Sequence, residues 1–231
     1  MTIQDTEVGL RARTVGEIAA TVPGATSVFR RFKIDFCCHG DMALDVAARQ
    51  RGVDSVDVER EIAALIAEAK VETPLTAMGS DELIDHIKIR YHEAHRRALP
   101  ELIALSQKVE AVHRGHPKVP AGLSAVLEEM LSELVPHMIT EETVLFPAIS
   151  RHVEDGLDIA IDDLRHEHDD QGALLRRLEA VTGDFALPEG ACRSWQALYV
   201  GTARLAEDLM EHIHLENNVL FPRFTKIENR A

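Results

Sequence analysis

An eleven-residue phrase, His-x-x-x-Glu-x-x-Val-Leu-Phe-Pro, occurs twice in this chain, as HMITEETVLFP over residues 137–147 and HIHLENNVLFP over residues 212–222. In each copy a histidine and a carboxylate stand four residues apart, an offset of about 40° on an α-helix, so they share one face. Their neighbours are mostly apolar, and that face is expected to point into a core. A core that admits two imidazoles and two carboxylates needs something to neutralise them. A pair of metal ions held between helices does so most simply.

Helical periodicity dominates, and Val/Ile/Thr alternation typical of strands is missing. Four long helical segments are expected at 81–112, 120–151, 157–182 and 188–221, separated by HRGHPKVPAG, HVEDG and TGDFALPEG. Short connections make consecutive helices antiparallel neighbours, so the expected fold is all-α, an antiparallel four-helix bundle. The repeat closes the second and fourth helices, 75 residues apart, as two similar hairpins require. Shorter helices are expected ahead of it at TVGEIAATV, ATSVFRRF and SVDVEREIAALIAEAK. Thr14 and Ser55 are candidate N-caps, with Glu17 three residues after Thr14 as a capping box requires. The stretch VETPLTAMGSD carries Pro74 and Gly79 and reads as a linker. The expected division is a small helical N-terminal domain over 1–72 and the bundle over 80–226.

A helical wheel places the ligand candidates. With His137 at zero, Leu123, Val126, Leu127, Met130, Leu134, Glu141, Val144 and Leu145 fall between about −20° and 80°. With His212 at zero, Leu198, Leu205, Leu209, Glu216, Val219 and Leu220 fill the same arc, while His214 lies about 200° away and is expected at the surface. In the third helix Ile161, Leu164 and Leu175 flank His168, and His166 points outward. The first helix is ambiguous. His95 sits nearer the centre of the face made by Ile84, Ile87, Tyr91, Leu102 and Val109; His92 lies on its flank with Leu99 and Ile103, and Pro100 can kink the helix. Spacing favours His92, because His92 to His137 is 45 residues and His168 to His212 is 44. His95 stands as the rival, and His86 is expected at the surface beside Arg90 and Arg97.

No Lys or Arg occurs between Lys118 and Arg151, so Glu141 has no basic partner on its own helix. A proton shared by Glu141 and Glu216 would leave the histidines unexplained. Imidazole and carboxylate without thiolate suit Fe, Mn or Zn, and a dinuclear site in a helical bundle points first to iron. Four histidines and two bridging glutamates would hold two non-haem ions ~3.5–4 Å apart. An oxo or hydroxo bridge would balance a ferric pair, and coordination positions would be left for solvent, O₂ or NO. Met138, Phe146 and Phe221 read as packing.

Lys plus Arg number 25 against 39 Asp plus Glu, a net charge of −14 that argues against nucleic acid or an anionic membrane as partner. No apolar run approaches the ~18 residues of a membrane span, and the first residues lack the apolar stretch of a signal peptide. Three cysteines do not make a secreted disulfide framework. The expected location is the cytoplasm.

At RYHEAH, HMITEE, HEHDD and HIHLENNVLFP the chain resembles the hemerythrin-like bundle, and more closely the bacterial Repair of Iron Centers family, di-iron proteins of iron–sulfur cluster repair. The resemblance implies His92, His137, Glu141, His168, His212 and Glu216 as ligands, with the two glutamates bridging the irons, and so selects His92 over His95. The oxygen carriers of the fold have His-x4-Asp where the last motif here is His-x3-Glu, and one more histidine, which argues against reversible O₂ carriage. The resemblance extends to SVFRRFKIDFCCHG, where family members carry a cysteine pair in an N-terminal helical domain. A disulfide between neighbours is strained, so Cys37 and Cys38 are expected as reactive thiols or soft ligands for transient iron or NO, with Arg30, Arg31 and Lys33 lowering a thiol pKa. Cys192 is expected in the core. Glu133 and Glu167 match acidic positions lining a channel to the irons in that family.

The implied function is restoration of iron–sulfur clusters damaged by nitrosative or oxidative stress, by donating iron rather than by enzymatic turnover. Apo or damaged iron–sulfur proteins are then the partners, and a homodimer is compatible with this role. The alternatives are a di-iron centre reducing NO or peroxide, and an NO or O₂ sensor.

Overall fold

The computed structural model describes residues 9–68, 75–153 and 155–225. Residues 71–74 of the expected linker, and 69–70 at the end of the third expected short helix, lie outside the described residues. Among the described residues there are helices and one isolated bridge between Thr14 and Ala43, and no strand. They divide into two compact units, one from residues 1–83 with 213–231, the other Ile84–His212.

The first unit contains α1 (Val15–Thr21), α2 (Ala25–Arg31), α3 (Leu44–Gln50) and α4 (Ser55–Glu68). Thr14 caps α1, its hydroxyl accepting from the Glu17 N–H at 3.2 Å. Ser55 is not a cap: it is the first residue of α4, and Asp54 does the work, its carboxylate accepting from the Val56 N–H at 2.9 Å. Helix α3 escapes the sequence because its seven residues begin after Ala43, which offers no side-chain cap. Buried Val15, Ile18, Phe29, Phe36, Leu44, Val58 and Ile62 form the core, each worth ~1.5–3 kcal/mol against exposure.

The bundle is built from α5 (Ser80–Ile87) continuing through a π turn (Lys88–His92) into α6 (Glu93–Val112), then α7 (Leu123–Thr140), a second π turn (Glu141–Leu145) and α8 (Phe146–Ser150). Next come α9 (Leu157–Thr182) and α10 (Arg193–Leu215), which runs into a third π turn (Glu216–Leu220). These four runs match the expected helices closely. Helix α6 packs along α7, and α7 along α9. Gly201 of α10 lies against α6, where a Cβ would meet Leu102 at 2.6 Å. Helix α9 ends on Gly183 at φ 58°, with the Asp184 N–H bonded to the Glu179 carbonyl at 2.8 Å, a Schellman closure that glycine makes cheaply.

The π turns are the departure from the wheel. In each, a backbone N–H reaches back five residues, from Glu93 to Lys88, Phe146 to Glu141 and Phe221 to Glu216. Each inserts one residue and rotates every later side chain of its run by about 100°. Val144, expected inside, is therefore exposed, while Leu145 and Phe146 turn inward. In two of the three, Phe-Pro comes directly after, at Pro147 and Pro222. A proline ring collides with the carbonyl four residues earlier, and a widened turn moves that carbonyl away.

Candidate metal centre

His92, the last residue of the first π turn, His137 in the last turn of α7, Glu141 opening the second π turn, His168 in α9 and His212 in α10 are all buried. Five polar side chains thus meet in the interior of the second unit. The His92 and His212 Nε2 atoms lie 3.0 Å apart, and those of His137 and His168 lie 3.1 Å apart. Glu141 sits between the pairs, its Oε2 3.4 Å from His92 Nε2 and its Oε1 3.3 Å from His137 Nε2. Each carboxylate oxygen faces a different imidazole. Glu216 is buried, opens the third π turn, and follows His212 by the same four residues that separate Glu141 from His137.

The far sides of two rings fix their protonation. His92 Nδ1 lies 2.7 Å from Glu142 Oε1, and His137 Nδ1 lies 2.6 Å from Glu167 Oε2. An ionised carboxylate only accepts, so each Nδ1 carries the hydrogen, and in the neutral ring the lone pair is then on Nε2, toward the interior. Arg96 grips Glu142 through its two terminal guanidinium nitrogens, at 2.9 and 3.0 Å. Partial burial opposes ionisation of Glu142, but hydrogen bonds from Arg96 and His92 outweigh it and hold its carboxyl below the usual value.

This donor set fits a pair of cations. Within His92, Glu141 and His212, and within His137, Glu141 and His168, one ligand atom from each residue lies within 4.8 Å of the others. Two cis nitrogen ligands at ~2.1 Å subtend about 3.0 Å, which is the separation of each imidazole pair. The chemistry is nitrogen and carboxylate without sulfur.

The two histidines of the first helix have different neighbours. His92 pairs with His212, whereas His95, also buried, packs its ring 5.4 Å from that of His212 and 6.4 Å from Tyr91. Tyr91 stacks on His212 at 5.7 Å, and burial with the nearby Glu211 charge pushes its hydroxyl up to about 12. Phe146 stacks on His92 at 5.9 Å, so it packs against the ring that faces His212.

Four expectations need correction. His214 is buried, not exposed: its ring lies edge-on to Phe36 at 5.5 Å and its Nδ1 is 3.1 Å from Asn218 Nδ2, because the outward face of α10 is covered there by the Phe36 loop. Cys192 is half-buried just ahead of α10, its Sγ 3.2 Å from His113 Nε2, and is not in the core. His86 is half-buried, edge-on to Tyr91 at 5.8 Å, and burial then Arg90 lower its pKa. The Cys37 thiol is pushed well up, not down, by the Cys38 thiol, by burial and by Asp35. His166 is exposed as expected, bonding the Asp162 carbonyl at 2.7 Å.

The acidic positions have separate settings. Glu167 anchors His137, while Glu133 is largely exposed and its carboxyl is raised by slight desolvation and by the Glu129 and Asp170 charges. Glu142 and Arg96 escaped the sequence reading. Their signal was a second glutamate beside Glu141 and a basic residue one turn after His92.

Among the described residues no helix is long and apolar enough to cross a membrane. The Hemerythrin HHE cation binding domain family matches residues 83–224, and the ScdA_N domain of unknown function (DUF542) matches residues 11–66. The chain is 42% identical over 213 residues to the iron-sulfur cluster repair protein YtfE of Dickeya chrysanthemi, covering 92% of this chain and 96% of that one. The Cronobacter sakazakii protein of the same name is 43% identical over 216 residues, 94% and 97% of the two chains, and an Escherichia coli one is 42% identical over 92% and 96%. A hemerythrin-like domain implies non-haem iron, which the buried His/Glu groups suit. The chain belongs to the hemerythrin-like iron–sulfur cluster repair family, with an ScdA_N domain ahead of a hemerythrin HHE domain.

Proposed function

We propose that this protein supplies iron to apo or damaged iron–sulfur proteins from a two-iron store in the bundle, over 80–226, with a dithiol domain over 1–72 ahead of it. His92 and His212 would hold one ion and His137 and His168 the other, with Glu141 and Glu216 bridging. One observation carries this reading: two imidazole pairs at ligand spacing share the buried Glu141 carboxylate, one oxygen toward each pair. The names of the relatives supply the class of client.

Iron bound there supplies Lewis acidity, and for a donor it is also the cargo. The protein's own residues do the rest. Glu142 and Glu167 keep the Nδ1 protons of His92 and His137, so both rings present Nε2. Tyr91 and Phe146 fill the space against His212 and His92 and limit water. Every proposed ligand must be deprotonated to bind, so a falling pH loosens the store.

The test is anaerobic loading of the full chain with ferrous iron, then mixing with a cluster-free iron–sulfur dehydratase, sulfide and thiol. Recovery of dehydratase activity faster than with equal free ferrous iron is expected. Recovery no faster than with free iron overturns donation.

A further inference from the structure

The loop after α2 gathers three more metal-capable side chains, Asp35, Cys37 and Cys38, wholly within the first unit. The two sulfurs are not bonded to each other and stand 3.7 Å apart. Cys37 Sγ lies 3.5 Å from Asp35 Oδ1. Both separations have a meaning in coordination geometry. Two thiolates at ~2.3 Å from a tetrahedral ion subtend about 3.75 Å, and a thiolate with a carboxylate oxygen at ~2.0 Å subtends about 3.5 Å. The loop reproduces both chords.

The loop is also built to hold this arrangement. The Cys38 N–H donates to Asp35 Oδ1 at 3.0 Å, and His39 Nδ1 lies 2.9 Å from Asp35 Oδ2, which orients the carboxylate from two sides. Asn217 Nδ2 donates to the Cys37 carbonyl at 3.1 Å, and Asn218 Nδ2 to the Phe36 carbonyl at 3.1 Å. The Gly16 N–H closes the far end on the Gly40 carbonyl at 2.8 Å. A Cβ on Gly16 would lie 2.8 Å from that carbonyl, so the backbones approach as only glycine permits. Burial opposes ionisation of Asp35, yet bonds from His39 and Cys38 hold its carboxyl below the usual value.

We propose that Asp35, Cys37 and Cys38 form a mononuclear site for a thiophilic, tetrahedral divalent ion such as Zn²⁺ or Fe²⁺, with His39 orienting the carboxylate. Binding displaces one proton from each thiol to solvent, forms two metal–sulfur bonds and one metal–oxygen bond, and leaves a position for water. No redox change occurs. Both thiols must give up a proton to bind the ion, so affinity rises with pH.

Cobalt(II) is the probe, titrated anaerobically into the metal-free, reduced full chain. A thiolate-to-cobalt charge-transfer band in the near ultraviolet is expected, with a final amplitude of one thiolate-bound cobalt per chain however much cobalt the His/Glu centre takes, and excess Zn²⁺ should abolish it. The His/Glu centre has no sulfur and cannot produce this band, so the outcome is independent of the two-iron reading. Cys38→Ser, at a half-buried position that tolerates the change, should lose most of the band, as should Cys37→Ser. Asp35→Ala should weaken binding tenfold or more, His39→Ala by about 10-fold, and Cys192→Ser not at all. Absence of the band in the parent chain overturns the site, as does a band that persists in Cys38→Ser and Cys37→Ser.

Discussion

Truncating Glu142 isolates what an anchoring carboxylate contributes to the bundle centre. Its Oε1 accepts from His92 Nδ1 at 2.7 Å while Arg96 holds both of its oxygens, so the carboxylate is itself immobile and fixes the ring behind Nε2. Glu142→Ala releases the Nδ1 hydrogen and leaves His92 to divide between tautomers. Loss of such a partner weakens metal binding by about 10–100-fold, or ~1.4–2.7 kcal/mol. Glu142→Gln keeps an oxygen acceptor and loses the charge, so its cost belongs near the lower bound. Glu167→Ala removes a bond of 2.6 Å to His137, but that side chain is 52% exposed and water can take its place, so its cost should fall below that of Glu142→Ala. The ion pair with Arg96 is itself worth only ~0–1 kcal/mol, so metal-free protein should melt nearly as the parent does.

The assay is competition for Zn²⁺ or Fe²⁺ against a chromophoric chelator, run beside thermal melts of metal-free and loaded protein. Because the Glu142 carboxyl is held below its usual value when folded, its contribution is present above the unfolded value of about 4.3 and is lost as pH falls through the folded one. The gap between parent and Glu142→Gln in stability should therefore close toward strong acid. Equal or greater metal loss in Glu167→Ala than in Glu142→Ala would refute the reasoning, as would a melt penalty in metal-free protein as large as in loaded protein.

Glu141→Ala, which removes the carboxylate shared by both imidazole pairs, should lose most bound iron by elemental analysis, whereas His166→Ala should lose none. His214→Ala should leave iron content unchanged and lower the chemical-denaturation stability by ~1–3 kcal/mol, since it opens space against Phe36 and leaves Asn218 without a partner ring. Gly16→Ala should destabilise far more than Gly201→Ala in thermal melts. The first meets a backbone carbonyl at 2.8 Å, the second only the far end of the Leu102 side chain, which can rotate away.

Much of this centre could be read from spacing. Four-residue His/Glu steps survive on any helix, so His137 with Glu141 was legible, and His168 stood alone on an apolar face. The domain that precedes the bundle was legible only in part. Thr14 announced α1 through its cap, whereas α3 begins at Ala43 with nothing in its side chain to announce it. His214 was misplaced because a wheel knows one helix. It assigns the face opposite His212 to water, and nothing in the register of α10 says that Phe36 packs on His214.

The harder failure, Val144, has a more instructive cause. A wheel assumes one angular step throughout, and three of the runs break that assumption at a proposed ligand: His92 ends a π turn, Glu141 and Glu216 each begin one. A π turn costs hydrogen-bond quality and is kept where it re-aims side chains. Here it lets a helix present His137 and Glu141 on one face and then Leu145 and Phe146 on the same side, although 100° steps would have sent Phe146 outward. The repeated Leu-Phe-Pro after each glutamate is thus not decoration on the His-x3-Glu motif. The proline makes the ordinary turn unfavourable, the widened turn results, and the phenylalanine it brings inward at 146 stacks on His92. In the copy at 137–147 the phrase thus encodes one device, a His/Glu pair on one face together with the packing that meets the opposing ring.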